Sequence, residues 1–189
     1  MGTYRQSIPQ ADTLIGSMRS MGYSFEAAIA DIIDNGISAN CSVVKLFFPS
    51  EPIDDLVVGI LDDGEGMSAG VLFEAMRYGS RDSELERNAN DLGRFGLGMK
   101  SASLSQCRIL TVVSLQEEKI SSYSWDYNYI QNRKEWVVKE LSQNEIKASG
   151  HCTLCHRSVN QCSSKAITIL GTQVVSQYSV YDFQQTKRN

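Results

Sequence analysis

The sequence is short of the features that mark exported, fibrous or membrane-spanning proteins. Its 189 residues include 3 Pro and 2 His, and no stretch of 18 apolar residues occurs. The opening residues, MGTYRQSIPQ, lack the apolar segment of a secretory signal. With 42% hydrophobic and 21% charged residues, the composition is typical of a globular domain. We therefore expect a single domain over residues 1–189, located in the cytoplasm and away from membranes.

Basic charge is also scarce. The 18 Lys and Arg residues are outnumbered by 22 Asp and Glu residues, which gives a formal net charge of -4. Such a chain has no overall attraction to nucleic acid or anionic lipid, and no local basic patch stands out. The sequence therefore identifies neither a DNA partner nor a further protein partner.

The five cysteines do not suggest a disulfide framework, because their number is odd and their spacing uneven. Cys152, Cys155, His156 and Cys162 supply enough soft ligands for a tetrahedral zinc site, and Cys-x-x-Cys-His is also the attachment motif of c-type haem. Haem attachment requires export, for which the sequence has no signal. We favour reduced thiols, with zinc as the alternative.

Apolar periodicity predicts an alternation of helices and strands. Ser24 is a typical helix cap, and the apolar residues behind it recur at helical spacing, which predicts a helix over residues 25–37. Weaker helical patterns cover residues 11–21, 71–77 and 99–106. Apolar and β-branched runs predict strands at residues 43–48, 56–61, 108–114, 120–127, 134–141 and 171–178.

These elements predict an α/β fold, a two-layer α/β sandwich in which helices cover one face of a mixed, mainly antiparallel sheet. The polar stretch that begins YGSRDSELERNAN predicts a functional lid over about residues 78–92. Periodicity fades over residues 142–170, which include the Cys-rich segment, so no element is predicted for most of this part.

The first candidate site element is the helix that carries Asp31, Asp34 and Asn35. Because these residues are three and four positions apart, their side chains project from nearly one helical face. Mg²⁺ prefers oxygen ligands and shares them with substrate phosphates, so Asn35 is the predicted metal ligand. Asp31 is the predicted general base for the water that attacks the terminal phosphate. The alternative is a solvated polar face.

The second element is the turn from Asp62 to Met67, which follows an apolar strand. Gly64 and Gly66 allow the backbone to approach a flat ligand closely. The Asp62 carboxylate is suited to accept the exocyclic amine of adenine, and Met67 to lie against the ring. Considered alone, the turn is better explained as an ordinary strand-to-helix turn or a fragment of a Ca²⁺ loop.

The third element is a glycine-rich run made of Gly93, Arg94, Phe95, Gly96, Leu97, Gly98, Met99 and Lys100. Its glycines leave backbone N–H groups free to face phosphate oxygens, and a helix N-terminus follows directly. Arg94 or Lys100 adds positive charge. The glycine spacing differs from the dinucleotide-binding and P-loop patterns, so neither is indicated. A flexible hinge is the alternative.

The three elements resemble, in this order, the three nucleotide-binding motifs of the GHKL superfamily. The segments that carry the resemblance are AIADIIDNGISAN, LDDGEGMS and DLGRFGLGMKSASLSQ. Members of this superfamily include gyrase, histidine kinases, MutL and heat-shock chaperone ATPases. The branch that the sequence resembles best is the Microrchidia-like group of bacterial ATP-binding proteins. The resemblance is dense over about residues 25–114 and thins after residue 141.

The resemblance implies a Bergerat-type fold that binds ATP or ADP with Mg²⁺ between helices and lid. It implies these roles for residues of this sequence: Asn35 as the Mg²⁺ ligand, Asp62 as the adenine carboxylate, Gly64 and Gly66 as the turn under the base, and Gly93, Gly96 and Gly98 as the phosphate loop. Gly171-Thr172 resembles a late Gly-Thr motif, which implies that Thr172 reaches the water network beside Asp62.

One position departs from this pattern. Most hydrolysing members carry Glu where this sequence has Asp31, which is shorter by one methylene. Because a displacement of about 1 Å can cost a catalytic group about 10²-fold in rate, we expect slow ATP hydrolysis. The expected function is an ATPase in which ATP closes the lid and favours a homodimer.

Two alternatives remain open from the sequence. One is a regulatory module that binds nucleotide without hydrolysing it. The presence of Asp31 where most hydrolysing members carry Glu is consistent with this alternative. The other is a catalytic domain of the histidine-kinase type. The kinase is disfavoured because both histidines lie in the Cys-rich segment and no helical dimerisation segment precedes the domain.

Overall fold

The computed structural model describes residues 3–5, 7–20, 22–49, 58–77, 98–148, 165–171 and 178–184. Over these residues the helices are α1 (Ala11–Arg19), α2 (Phe25–Ser38), α3 (Ala69–Met76), α4 (Gly98–Gln106), α5 (Tyr127–Arg133) and α6 (Gln143–Ala148). The strands are β1 (Val43–Pro49), β2 (Val58–Asp62), β3 (Ile109–Gln116), β4 (Lys119–Asp126), β5 (Lys139–Glu140), β6 (Lys165–Gly171) and β7 (Tyr178–Gln184). No helix in these ranges is long and apolar enough to cross a membrane.

The strands form a single sheet in the order β5-β4-β3-β6-β2-β1-β7. Every strand pair formed by the described residues is antiparallel. β6 comes late in the sequence, yet it lies between β2 and β3, pairing Ala166 with Asp62 and Gly171 with Ile109. The fold is the predicted α/β sandwich on a mainly antiparallel sheet. A mixed sheet would also contain parallel strand pairs, and the described strands form none.

The helices and the sheet share one hydrophobic core. Because successive side chains of a strand point to opposite faces, every second residue of the central strands enters it. The core residues of β2, β3 and β4 are Val58 and Ile60, Leu110 and Val112, and Tyr123 and Trp125. The helices contribute Ala11, Ile15, Ile29, Ile32, Leu72, Met76, Leu104 and Ile130 to the same cluster. One face of the sheet is thus covered by helices.

Helix α2 begins and ends close to its predicted bounds of 25 and 37. The Ser24 hydroxyl accepts a hydrogen bond from the backbone N–H of Ala27 at 3.2 Å, which satisfies one of the unpaired donors of the first turn. Ile29 and Ile32 are buried in the core. This anchoring leaves the opposite face of α2, with its polar residues, directed away from the core.

The predicted strand over residues 134–141 is confirmed only at Lys139–Glu140, which form β5, and is wrong for the residues before them. Asp126 caps α5 by accepting a hydrogen bond from the N–H of Tyr129 at 3.0 Å, so the chain turns helical at Tyr127. Lys134 then ends the helix in the left-handed conformation, with φ of 58°. Only Lys139–Glu140 pairs with β4. Before this short strand, Trp136 packs edge to face against Trp125 and donates to the carbonyl oxygen of Pro9, and these tertiary contacts take the place of strand pairing.

Of the predicted strand over residues 171–178, only the two end residues are described, Gly171 as the last residue of β6 and Tyr178 as the first of β7. The residues between them lie outside the described part of the chain. Where the sequence pattern fades, between residues 142 and 170, the structure places α6 and most of the central strand β6. Pairing with β2 and β3 fixes β6, and such long-range pairing leaves little trace in local periodicity.

Candidate functional site

Helix α2 presents the polar face on which the predicted base and metal ligand lie. Asp31 is half-buried, whereas Asp34 and Asn35 are exposed. The phenol of Tyr23, just before the helix, donates a hydrogen bond to Asp31 Oδ2 at 2.5 Å. This contact raises the pKa of Tyr23, through the hydrogen bond to Asp31 first and then through burial and the charge of Asp31.

The turn that follows β2 lies directly against α2. Gly36 is buried, and an ideal Cβ placed on it would lie 3.2 Å from Asp62 Cβ and 3.4 Å from Cys41 Sγ. Such spacing is tighter than ordinary side-chain contact, so the absence of a side chain at Gly36 lets Asp62 pack closely against α2. Asp62 Oδ1 accepts a hydrogen bond from the N–H of Gly64 at 2.9 Å.

The two adjacent aspartates of the turn have different surroundings. Asp63 Oδ1 accepts hydrogen bonds from the backbone N–H groups of Ser42 and Val43, at 2.7 and 2.8 Å, and so ties the turn to the start of β1. Asp62 instead lies at the end of β2, half-buried against α2. The structure thus gives Asp63 a role in holding the turn and places Asp62 against α2 at Gly36.

Both glycines of the turn are required by close approach of the backbone. A Cβ on Gly64 would lie 2.8 Å from the carbonyl oxygen of Ala39. Gly66 has φ of +69°, and a Cβ there would lie 2.2 Å from the carbonyl oxygen of Leu115. The N–H of Met67 donates to Ser114 Oγ at 2.7 Å, which fixes the end of the turn to β3. The turn is therefore held between α2 and the sheet.

Cys41 lies under this turn and is buried. Burial raises the pKa of its thiol to about 11, and the charges of Asp62 and Asp63 add to the increase. A thiol with this pKa stays protonated at neutral pH, so it behaves as a small apolar side chain rather than a nucleophile. Cys41 therefore belongs to the packing beneath the site.

Helix α4, which follows the glycine-rich run, packs against α2. Gln106, the last residue of α4, donates through Nε2 to the carbonyl oxygen of Tyr23 at 2.6 Å. Arg19 of α1 donates to the carbonyl oxygens of Leu104 and Cys107. Helix α4 is thus hydrogen-bonded to Arg19 of α1 and to Tyr23, just before α2. Its N-terminus at Gly98 carries the positive end of the helix dipole.

The side chain of Lys100, predicted to add charge at the phosphates, is 1% exposed. Its ammonium donates to the carbonyl oxygens of Ala75, at 2.8 Å, and of Arg77. These carbonyls are at the C-terminal end of α3, where a positive charge is favourable. In this structure Lys100 therefore joins α4 to α3, and a phosphate contact would require its ammonium to leave these carbonyls.

Replacing Lys100 with Met tests this placement. Met fills a similar volume but cannot donate, so we expect the free energy of unfolding to fall by about 2 kcal/mol as two carbonyls lose a charged donor. Lys119→Met, at an exposed position of β4, should change it little. Chemical denaturation measures both variants. Unchanged stability of Lys100→Met with weakened nucleotide binding would instead assign the ammonium to phosphate.

Several predicted site residues lie outside the described part of the chain: Gly93, Arg94, Phe95, Gly96, Leu97 and Thr172. Gly98 and Met99 are described as the first residues of α4. The lid segment and Cys152, Cys155, His156 and Cys162 also lie outside these ranges. Among the described residues, no three His, Cys, Asp or Glu side chains group as metal ligands.

The oxygen donors present on α2 fit Mg²⁺. This ion keeps several waters and uses one or two protein ligands together with substrate phosphates, so it does not need a cluster of carboxylates. Asn35 supplies an exposed carboxamide oxygen one helical turn from Asp31. Gly36, the next residue, keeps the adjoining turn close to it. The donor set therefore fits an ion that is shared with a bound nucleotide.

Sequence reasoning missed Tyr23, Gly36 and Ser114. Tyr23 is eight residues before Asp31 and outside the helix, so helical spacing does not connect the two. Ser114 contacts a residue 47 positions earlier in the sequence. Gly36 carried a local signal, since a glycine inside a predicted helix often marks a close packing contact.

The fold and the site define an α/β sandwich with a polar helix and a glycine turn suited to a nucleotide. The sequence matches, over residues 23–168, the family described as histidine kinase-, DNA gyrase B- and HSP90-like ATPase. The chain belongs to this family, which places it in the GHKL superfamily of ATPase domains. A GHKL-type domain binds ATP, and ATP binding is therefore the activity that family membership supports.

Proposed function

We propose that this chain, as a single domain over residues 1–189, binds ATP with Mg²⁺ and hydrolyses it slowly. We also propose that it belongs to the Microrchidia-like branch of the superfamily. The observation that carries the proposal is the contact at Gly36. It joins the helix of Asp31 and Asn35 to the turn of Asp62. The element proposed to bind the phosphates and the element proposed to bind adenine therefore meet at one place.

At the adenine end of the site, the Asp62 carboxylate accepts a hydrogen bond from the exocyclic amine of adenine. Gly64 and Gly66 form the turn beneath adenine. Side chains at these positions would clash with the backbone of Ala39 and Leu115. Met67, fixed by its hydrogen bond to Ser114, lies against the ring. The turn thus recognises adenine by one hydrogen bond and by shape.

At the phosphate end, Asn35 holds the metal through its carboxamide oxygen, and the run from Gly93 to Met99 offers backbone N–H groups to the phosphates. Arg94 adds positive charge, and Thr172 supports the water network beside Asp62. When bound, Mg²⁺ neutralises phosphate charge and fixes the orientation of the terminal phosphate.

Hydrolysis requires a base beside the terminal phosphate, and we assign this role to Asp31. Its carboxylate orients a water molecule and accepts a proton as the water oxygen bonds to the terminal phosphorus. The bond between that phosphorus and the bridging oxygen breaks, which leaves ADP and inorganic phosphate. The shorter reach of Asp relative to Glu makes turnover slow.

We further propose that residues 78–92 act as a lid that closes over ATP, so that bound nucleotide favours a homodimer. The polar composition of this segment and its position between α3 and the glycine-rich run support the proposal. A domain that binds nucleotide without hydrolysing it is the second candidate, favoured by Asp31 in place of Glu. Single-turnover measurements with labelled ATP separate the two.

Calorimetric titration tests binding. We expect ADP and a non-hydrolysable ATP analogue to bind, with the analogue bound at least about tenfold more tightly in Mg²⁺ than in chelator, because Asn35 would hold the ion and the ion would offset phosphate charge. Asn35→Ala should bind the analogue equally with and without Mg²⁺, whereas Asn132→Ala, on the exposed surface of α5, should behave as wild type. Absence of binding by the wild-type chain in every condition would overturn the proposed function.

A further inference from the structure

Tyr23 makes a contact with the proposed base that the motifs do not predict. Its hydroxyl donates to Asp31 Oδ2 at 2.5 Å across eight residues of sequence. A hydrogen bond to an ionised carboxylate is short and about twice as strong as one between neutral groups. The contact thus restricts rotation of the short Asp31 side chain.

Tyr23 is itself fixed from two sides. Its carbonyl oxygen accepts the hydrogen bond from Gln106 Nε2 of α4 at 2.6 Å. The next residue, Ser24, caps α2 and so sets where the helix begins relative to Tyr23. Gly22, with φ of +70°, allows the turn that brings Tyr23 back over α2. The phenol therefore approaches Asp31 from an anchored backbone.

We propose that Tyr23 is a positioning residue for ATP hydrolysis, which holds Asp31 Oδ2 so that the other carboxylate oxygen, Oδ1, faces the attacking water. This inference rests on the proposed function, because it requires Asp31 to be the base. It explains how an Asp can act where its side chain has one methylene less than Glu. A short carboxylate fixed by a phenol loses less catalytic efficiency than one free to rotate.

The test is Tyr23→Phe, which keeps the ring and removes the hydroxyl. We expect kcat for ATP hydrolysis to fall about tenfold while KM and the affinity for the ATP analogue stay unchanged, because displacement of a base affects the chemical step. Tyr129→Phe, at an exposed position of α5, is the matched control and should keep the wild-type kcat. Equal melting temperatures exclude a folding defect.

A double-mutant cycle separates this inference from the proposed function. If Asp31→Asn loses turnover, Tyr23→Phe should cause no further loss in that background, since the phenol acts through Asp31. If Asp31→Asn loses turnover but Tyr23→Phe keeps a kcat within twofold of wild type, the role of Tyr23 is overturned and the proposed function stands. Wild-type turnover by Asp31→Asn, or no turnover by the wild-type chain, would overturn both.

Nuclear magnetic resonance of ring-labelled tyrosine gives a readout independent of activity. The hydrogen bond and the negative charge of Asp31 raise the pKa of Tyr23 above that of an ordinary tyrosine. Asp31→Ala removes both the acceptor and the charge, so the pKa of Tyr23 should fall toward the ordinary value. Tyr23→Phe identifies the signal by its disappearance. An unchanged Tyr23 pKa in Asp31→Ala would mean that the contact does not exist in solution, and the inference would fail.

Discussion

Asp31→Asn should reduce the kcat for ATP hydrolysis by about 10² to 10⁴-fold, the range that general-base catalysis contributes. Asn keeps the size of the side chain and can still accept the hydrogen bond from Tyr23, but it cannot take a proton from water. The affinity for the ATP analogue should stay within about threefold of wild type, because the base does not bind the nucleotide. Single-turnover hydrolysis and calorimetry measure the two quantities.

Asp34→Asn is the matched control for this experiment. Asp34 is on the same helix, three residues further along, and its side chain is exposed. Its replacement removes one negative charge near the site and should leave kcat nearly unchanged. If Asp34→Asn lost as much turnover as Asp31→Asn, the effect would come from net charge and not from a base. If Asp31→Asn turned over at the wild-type rate, the chain would need another base.

Asp62→Asn should weaken ATP and ADP binding by about 10 to 150-fold, which corresponds to the loss of about 1.5–3 kcal/mol from a hydrogen bond to a charged group. The affinities for ATP and ADP should fall by the same factor, because the lost hydrogen bond is to adenine and not to the phosphates. Guanine carries a carbonyl oxygen in place of the exocyclic amine of adenine, so the preference for ATP over GTP should decrease as well. Competition titrations with ATP, ADP and GTP measure both effects.

The neighbouring Asp63 supplies the control. Asp63→Asn keeps an oxygen that can accept from Ser42 and Val43, and it removes the same formal charge from the same turn. We expect nucleotide affinity close to wild type, with a modest loss of stability. A larger loss of affinity in Asp63→Asn than in Asp62→Asn would reverse the assignment of the two carboxylates.

Much of the site could be predicted because its signals are local. The cap at Ser24 and the helical spacing of Ile29 and Ile32 determine α2, and that spacing also places Asp31 and Asn35 together on the polar face. The order of the three motifs led to the GHKL superfamily, which the family match confirms. The roles of single residues in binding and hydrolysis are predictions, which the substitutions of Asp31, Asn35 and Asp62 test.

The class of the fold, the helix that carries the polar face and the glycine turn all follow from local sequence, because caps, periodicity and glycine conformations act over a few residues. Other features arise only when distant residues pack together: Asp63 ties the turn to β1, Lys100 holds the end of α3, and β6 lies between β2 and β3. The contact of Tyr23 with Asp31 is of the same kind. These contacts depend on how separate elements pack in space, and packing between distant residues leaves no periodic signal in the chain.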